Sequence, residues 1–179
     1  MYRFNRKLAV LTGVCAAVVL MATAIAYADV TTKTAGAITN VAVVRGEDNT
    51  TTKAQGWVDV PKAKVAVDNS GGGALFLLRF SGESQCSDTP GSTPTTGFCN
   101  LRITVNGIEA APVVGGQFAF DTNSAGTLTD NAEAHAIDRS IFVLSSAKTA
   151  NVQVQYRTTN SDTTFTLDDW QLTIERAKP

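Results

Sequence analysis

Ala74-Leu-Phe-Leu-Leu-Arg-Phe-Ser81 and Leu101-Arg-Ile-Thr-Val105 flank a loop bounded by Cys86 and Cys99. Both runs have the apolar, β-branched and aromatic character of strands. In the first, Leu75 and Leu77 take one face while Phe76, Leu78 and Phe80 take the other. An apolar residue on either face predicts a central strand covered on both sides. The loop from Ser87 to Phe98 is almost entirely turn-forming or small and polar. It holds too little apolar surface to offset the entropy of its own ordering. A Cys86–Cys99 disulfide is therefore expected as the clasp, and closing a loop of about 14 residues contributes roughly 3 kcal/mol in the chain-entropy description.

Working outward, the same two-residue period recurs. Ile38 to Val44 alternates, and Val152-Gln-Val-Gln-Tyr156 alternates strictly. Trp57-Val-Asp-Val60 and Lys64-Val-Ala-Val67 read as two short strands separated by Pro61. Asn106-Gly107 predicts a two-residue type I′ turn, because both central positions need positive φ. That turn sets Val105 opposite Ile108 and makes Arg102 and Glu109 diagonal neighbours on the outer face. Gln117-Phe-Ala-Phe-Asp121 places Phe118 and Phe120 on one face. In the last strand Phe165 and Leu167 share one parity, whereas Trp170, Leu172 and Ile174 share the other. A strict period of two cannot bury both sets: either the strand crosses between faces or a β-bulge at Asp168-Asp169 absorbs one residue, and the bulge is the expectation favoured. Trp170, in phase with Leu172 and Ile174, reads as core.

No stretch beyond the leader carries a 3.6-residue apolar period. The fold expected is all-β: a single β-sandwich of jelly-roll type over residues 37–179, with about eight to ten antiparallel strands. Before it, residues 29–36 read as a flexible arm and residues 1–28 as a signal peptide. Arg3, Arg6 and Lys7 precede a run without charge, which ends in Ala26-Tyr27-Ala28, a small-x-small cleavage pattern. An uncleaved anchor is the competing reading of that run.

Without the leader the chain keeps 12 Lys+Arg against 16 Asp+Glu. An acidic balance with no basic run argues against a nucleic-acid partner. Cys15 leaves with the leader, so Cys86 and Cys99 are the whole cysteine inventory of the exported chain. With His135 as the sole histidine, a cysteine-based zinc site lacks ligands.

Several stretches together resemble a group of small secreted proteins of high-GC Gram-positive bacteria. They are Arg79-Phe-Ser-Gly-Glu-Ser-Gln-Cys86, Cys99-Asn-Leu-Arg-Ile-Thr-Val-Asn-Gly107, Phe118-Ala-Phe-Asp121, His135-Ala-Ile-Asp-Arg-Ser140 and Phe165-Thr-Leu-Asp-Asp-Trp-Gln-Leu-Thr-Ile-Glu-Arg176. The resemblance implies export and a jelly-roll fold, and it transfers no catalytic residue. Members of that group often have a shorter loop between the cysteines.

The polar residues that can carry chemistry are Glu83, Asp121, His135, Asp138, Arg139, Asp168 and Asp169, with Arg79 and Arg102 beside them. A glycoside hydrolase needs two carboxyl groups flanking one bond, and these acids lie near strand ends. The competing reading is that Asp168 and Asp169 cap the bulge. His135 lacks the G-x-S-x-G context of a serine nucleophile. A calcium site from Asp121 and Asp130 lacks the acidic loop pattern. Trp57 and Trp170 offer sugar-stacking surface if exposed. No catalytic residue, metal or cofactor is expected. The function expected is an exported, non-catalytic binding or cell-surface module, with a wall or extracellular carbohydrate as ligand and no membrane contact after cleavage. A secreted hydrolase using a carboxylate pair and a homo-oligomeric structural subunit are the alternatives.

Cleavage after Ala28 gives the exported protein an N-terminus at Asp29. Intact-mass spectrometry of the secreted form checks this, and a membrane-retained full-length product contradicts it.

Overall fold

The structure is a computed structural model that describes residues 36–69, 72–89, 96–115, 118–123, 131–144 and 146–178. The leader, residues 29–35 of the arm, and Asp130 lie outside these. Ten strands follow in order: β1 Ile38–Gly46, β2 Thr50–Thr52, β3 Val58–Asp68, β4 Ala74–Asp88, β5 Gly97–Val105, β6 Ile108–Glu109, β7 Asp121–Asn123, β8 Glu133–Val143, β9 Thr149–Thr158 and β10 Thr163–Ala177. All pair antiparallel. One sheet runs β1-β10-β4-β8, with β2 joining β1's side of β10. The other runs β3-β9-β5-β6, with β7 also on β5. The chain thus crosses repeatedly between two sheets, in the strand order of a jelly-roll sandwich.

The core lies between the sheets. Phe76, Leu78 and Phe80 of β4 meet Leu101, Ile103 and Val105 of β5 and Val152 and Val154 of β9 in one buried cluster. Aromatic rings run through it: Trp170 stacks on Phe80 at 5.8 Å, Phe80 meets Phe120 edge-on at 5.8 Å, and Phe165 lies 5.7 Å from Tyr156. Trp170 is core, as its parity predicted.

The register of β10 on β4 skips between Asp168 and Gln171, so that Asp169 and Trp170 together oppose Gly82. This is the extra residue that the parity argument requires. Asp169 takes a positive φ of 43°, and its N–H donates to Asp168 Oδ1 at 3.0 Å. Both apolar phases are buried on its two sides. Gly46 and Gly82 flank Trp170 so closely that a Cβ would lie 2.3 Å and 2.9 Å from it.

At the other sheet, Asn106 and Gly107 have φ of 51° and 81°. The type I′ hairpin sets Val105 opposite Ile108, as its sequence predicts.

Three readings differ from the sequence expectation. Trp57–Val60 and Lys64–Val67 are not two strands. Val58–Asp68 is one strand with a wide bulge, its register jumping from Asp59 to Lys64 and Lys62 adopting φ of 64°. Pro61, unable to donate, is absorbed in that bulge on an edge strand. Phe118 and Phe120 do not share an environment, because the strand begins only at Asp121: Phe120 is buried and Phe118 is exposed. Finally, β4 is central but not covered on both faces. Leu75 is buried, Leu77 is 39% exposed, and Arg79 follows it on the same open face.

Cys86 and Cys99 are bonded, with Cα atoms 5.9 Å apart. They lie inside β4 and β5 rather than at the strand ends, so the bridge joins the two sheets. Both sulfurs are completely buried. A Cys86→Ala, Cys99→Ala protein should keep its β circular dichroism and lose about 2–4 kcal/mol in denaturant melts. An unchanged midpoint would show that the bridge constrains nothing.

Candidate functional site

Strand alternation leaves one face of the β10-β4-β8 sheet open to solvent. Arg79 from β4, Asp138 and Ser140 from β8, and Gln171, Thr173 and Glu175 from β10 project there, while their chain neighbours enter the core. The register sets them in rows: Thr173, Arg79 and Asp138 form one, and Glu175, Leu77 and Ser140 the next. Ala111 and Pro112 form a wall beside β8. Ala111 N–H donates to Ser140 O at 2.8 Å and Ser140 N–H to Ala111 O at 2.7 Å. Together these residues enclose a groove of about 500 Å³.

The floor is already ordered. Arg79 Nε donates to Asp138 Oδ1 at 2.7 Å and its second nitrogen to Oδ2 at 3.3 Å, a two-pronged pair. The Asp138 hydrogen bond and charge, with a smaller push from Glu175, hold the Arg79 guanidinium above its ordinary range. Arg45 Nε donates to Gln171 Oε1 at 3.0 Å, and Gln171 Nε2 donates to Thr173 Oγ1 at 3.1 Å. The groove therefore offers guanidinium, carboxylate, amide and hydroxyl groups on a rigid sheet, with Leu77 and Pro112 as apolar surface.

Arg139 also lines the groove, although its parity pairs it with Leu78 on the core side. It is 6% exposed and lies 4.7 Å from the Phe118 ring. One nitrogen donates to Asp138 O at 2.9 Å, while Nε and the other terminal nitrogen are buried without a hydrogen-bond partner. Burial pushes this guanidinium below the usual arginine range, with Glu109 and Asp138 acting in the opposite direction.

The remaining acids and His135 fall elsewhere. Asp121 is buried, accepting from Ser84 Oγ at 2.7 Å and from the N–H of Thr122 at 2.7 Å. His135 Nε2 lies 3.8 Å from Asp121 and 3.7 Å from Glu133. Ser84 donates to the aspartate rather than to the imidazole, so Ser84 is not activated by His135 as a nucleophile. Glu83 sits opposite Asp168 on the outer face, beside the bulge, and Asp169 is exposed. Of the seven residues singled out by the sequence, only Asp138 and Arg139 reach the groove. Arg102 pairs with Glu109 at 3.4 Å on the other sheet, in half-buried surroundings. Trp57 lies on that sheet as well, covered by two guanidinium groups rather than forming an exposed aromatic strip.

Sequence reasoning passed over Leu77, Ala111, Pro112, Ser140, Gln171, Thr173 and Glu175. They are ordinary strand and loop residues, and only the strand order brings them together. Among the described residues, no three His, Cys, Asp or Glu side chains converge in a metal-binding arrangement. No helix there is long and apolar enough to cross a membrane. The chain matches no model of a known protein family and no curated protein.

Arg139→Met removes two buried donors without partners and keeps a stem of similar length. Denaturant unfolding should show a gain of about 1 kcal/mol, net of the lost ring contact. A loss instead would mean that the guanidinium holds the sheet edge in place.

Proposed function

We propose that the domain is an exported, non-catalytic binding module that takes an extracellular carbohydrate in the β10-β4-β8 groove. The observation that carries this reading is the composition of the groove. Sugars present hydroxyl groups that donate and accept at once, and planar two-pronged partners such as Arg79, Asp138 and Gln171 suit them. Leu77 and Pro112 complement the C–H faces of a pyranose ring. Preorganised side chains on strands lose little freedom on binding. Both oxygens of Asp138 already accept from Arg79, which suits holding a ligand better than donating a proton to a leaving group.

Calorimetric titration of the exported domain against wall and matrix polysaccharides tests the reading. At least one should bind, and Arg79→Ala should weaken it about tenfold, or 1.4 kcal/mol. Product analysis of the same mixtures should show intact polysaccharide, since cleavage would instead support a hydrolase. Binding by Arg79→Ala equal to that of the parent protein would remove the groove from consideration.

A further inference from the structure

Asn100 stands between Cys99 and Leu101, both of which enter the core. Alternation along β5 therefore turns its carboxamide to the outer face of the β3-β9-β5 sheet. An asparagine on an outer face is ordinarily wetted. This one is 0% exposed, and neither Oδ1 nor Nδ2 has a hydrogen-bond partner. Its register partner on β9 is Arg157, whose Nε–H is also buried without a partner.

The surroundings are firmly built. The Arg157 and Arg102 guanidinium groups each lie 4.5 Å from the centre of the Trp57 ring. Arg102 donates to Gln155 Oε1 at 2.8 Å, and Gln155 donates to Asp59 Oδ1 at 2.7 Å. Glu109 balances Arg102 from the other side. Arg102, Gln155 and Asp59 thus satisfy one another, while the Asn100 carboxamide and the Arg157 Nε–H beside it stay unused. Buried polar groups without partners are rare in native proteins and call for a reason.

We propose that this is a binding site for the acetamido group of an N-acetylated sugar, with Trp57 as its movable cover. An acetamido group carries one N–H donor and one carbonyl acceptor, the complement of Asn100 Oδ1 and Nδ2. The Arg157 Nε–H is a second donor for the same carbonyl. The acetyl methyl group and the sugar's C–H face match the indole. An anion fits worse, because the Asn100 acceptor would face its charge and Glu109 already pairs with Arg102. Trp57 is half-buried and belongs to no strand, lying in the connection between β2 and β3, so it can turn aside without breaking a ladder. The site lies on the sheet opposite the groove and does not depend on it.

Titration of the full exported domain with the trimer of N-acetylglucosamine, against cellotriose as the unacetylated control, tests this by tryptophan fluorescence. The acetylated trimer should shift the emission and cellotriose should not. Trp57→Phe should abolish the shift, since Trp170 is sealed in the core. Asn100→Leu should keep the β circular dichroism and bind at least tenfold more weakly. Saturation-transfer NMR on the unaltered protein needs no variant, and the acetyl methyl should be the most strongly saturated group. The proposal is overturned by equal responses to the two trimers, by no response to either, or by saturation concentrated on ring protons. Binding by Asn100→Leu equal to the parent's overturns it too, leaving enclosed water as the partner of the carboxamide.

Discussion

The pairing of β4 with β10 is the constraint from which the rest of the domain follows. It joins residues 75–88 to 163–177 along nearly the full length of both strands. On one face it supplies Phe76, Leu78, Phe80, Phe165, Leu167, Leu172 and Ile174 to the core. On the other it sets Arg79 beside Thr173 and Leu77 beside Glu175, which is the groove floor. The single bulge reconciles these two demands. Without the extra residue at Asp168-Asp169, either Phe165 and Leu167 or Trp170 and Leu172 would face solvent. Burying those four side chains outweighs the strain of one non-glycine residue at positive φ, because each large apolar side chain contributes on the order of 1.5–3 kcal/mol.

Features governed by local chemistry were legible in the sequence. Asn106-Gly107 specifies its turn by backbone sterics alone, and the strict alternation of Val152 to Tyr156 specifies a half-buried strand. The switch of parity across Asp168-Asp169 located a bulge because apolar residues on both sides had to be inside. Features governed by tertiary context were not. Pro61 reads as a strand breaker, yet an edge strand tolerates it within a bulge. Leu75 and Leu77 look equivalent in sequence, but Leu75 lies in register between Phe142 and Ala177, whereas Leu77 lies between Ser140 and Glu175. The same limit applies to function. The groove draws on four distant segments, and the pairing order that unites them is invisible in composition or spacing. Asn100 carries no signal at all, since its neighbours Cys99 and Leu101 dominate the reading of its strand.

The two outer faces are chemically different in a way that bears on recognition. The groove presents polar groups that are exposed and paired with one another, so a ligand there exchanges one set of hydrogen bonds for another. Such exchange gives modest net affinity and depends on geometry. Around Asn100 the polar atoms are enclosed and unpaired, so a fitting ligand gains bonds without breaking any. Selectivity between chemically similar ligands is better served by the second arrangement, because a ligand lacking the matching group leaves those atoms unsatisfied.

The order of strands within the sheets also carries a kinetic consequence. The central partners β9 and β10 are the last two of the described strands, and β10 lies between β1 and β4 while β9 lies between β3 and β5. A chain emerging N-terminus first has β1, β3, β4 and β5 long before the strands that must separate them. Neither sheet can close until residues 149–177 are available, and every stabilising pairing they make spans a long stretch of sequence. Folding of the domain therefore waits for those two strands, then occurs as one event at the slow rate typical of non-local β topologies.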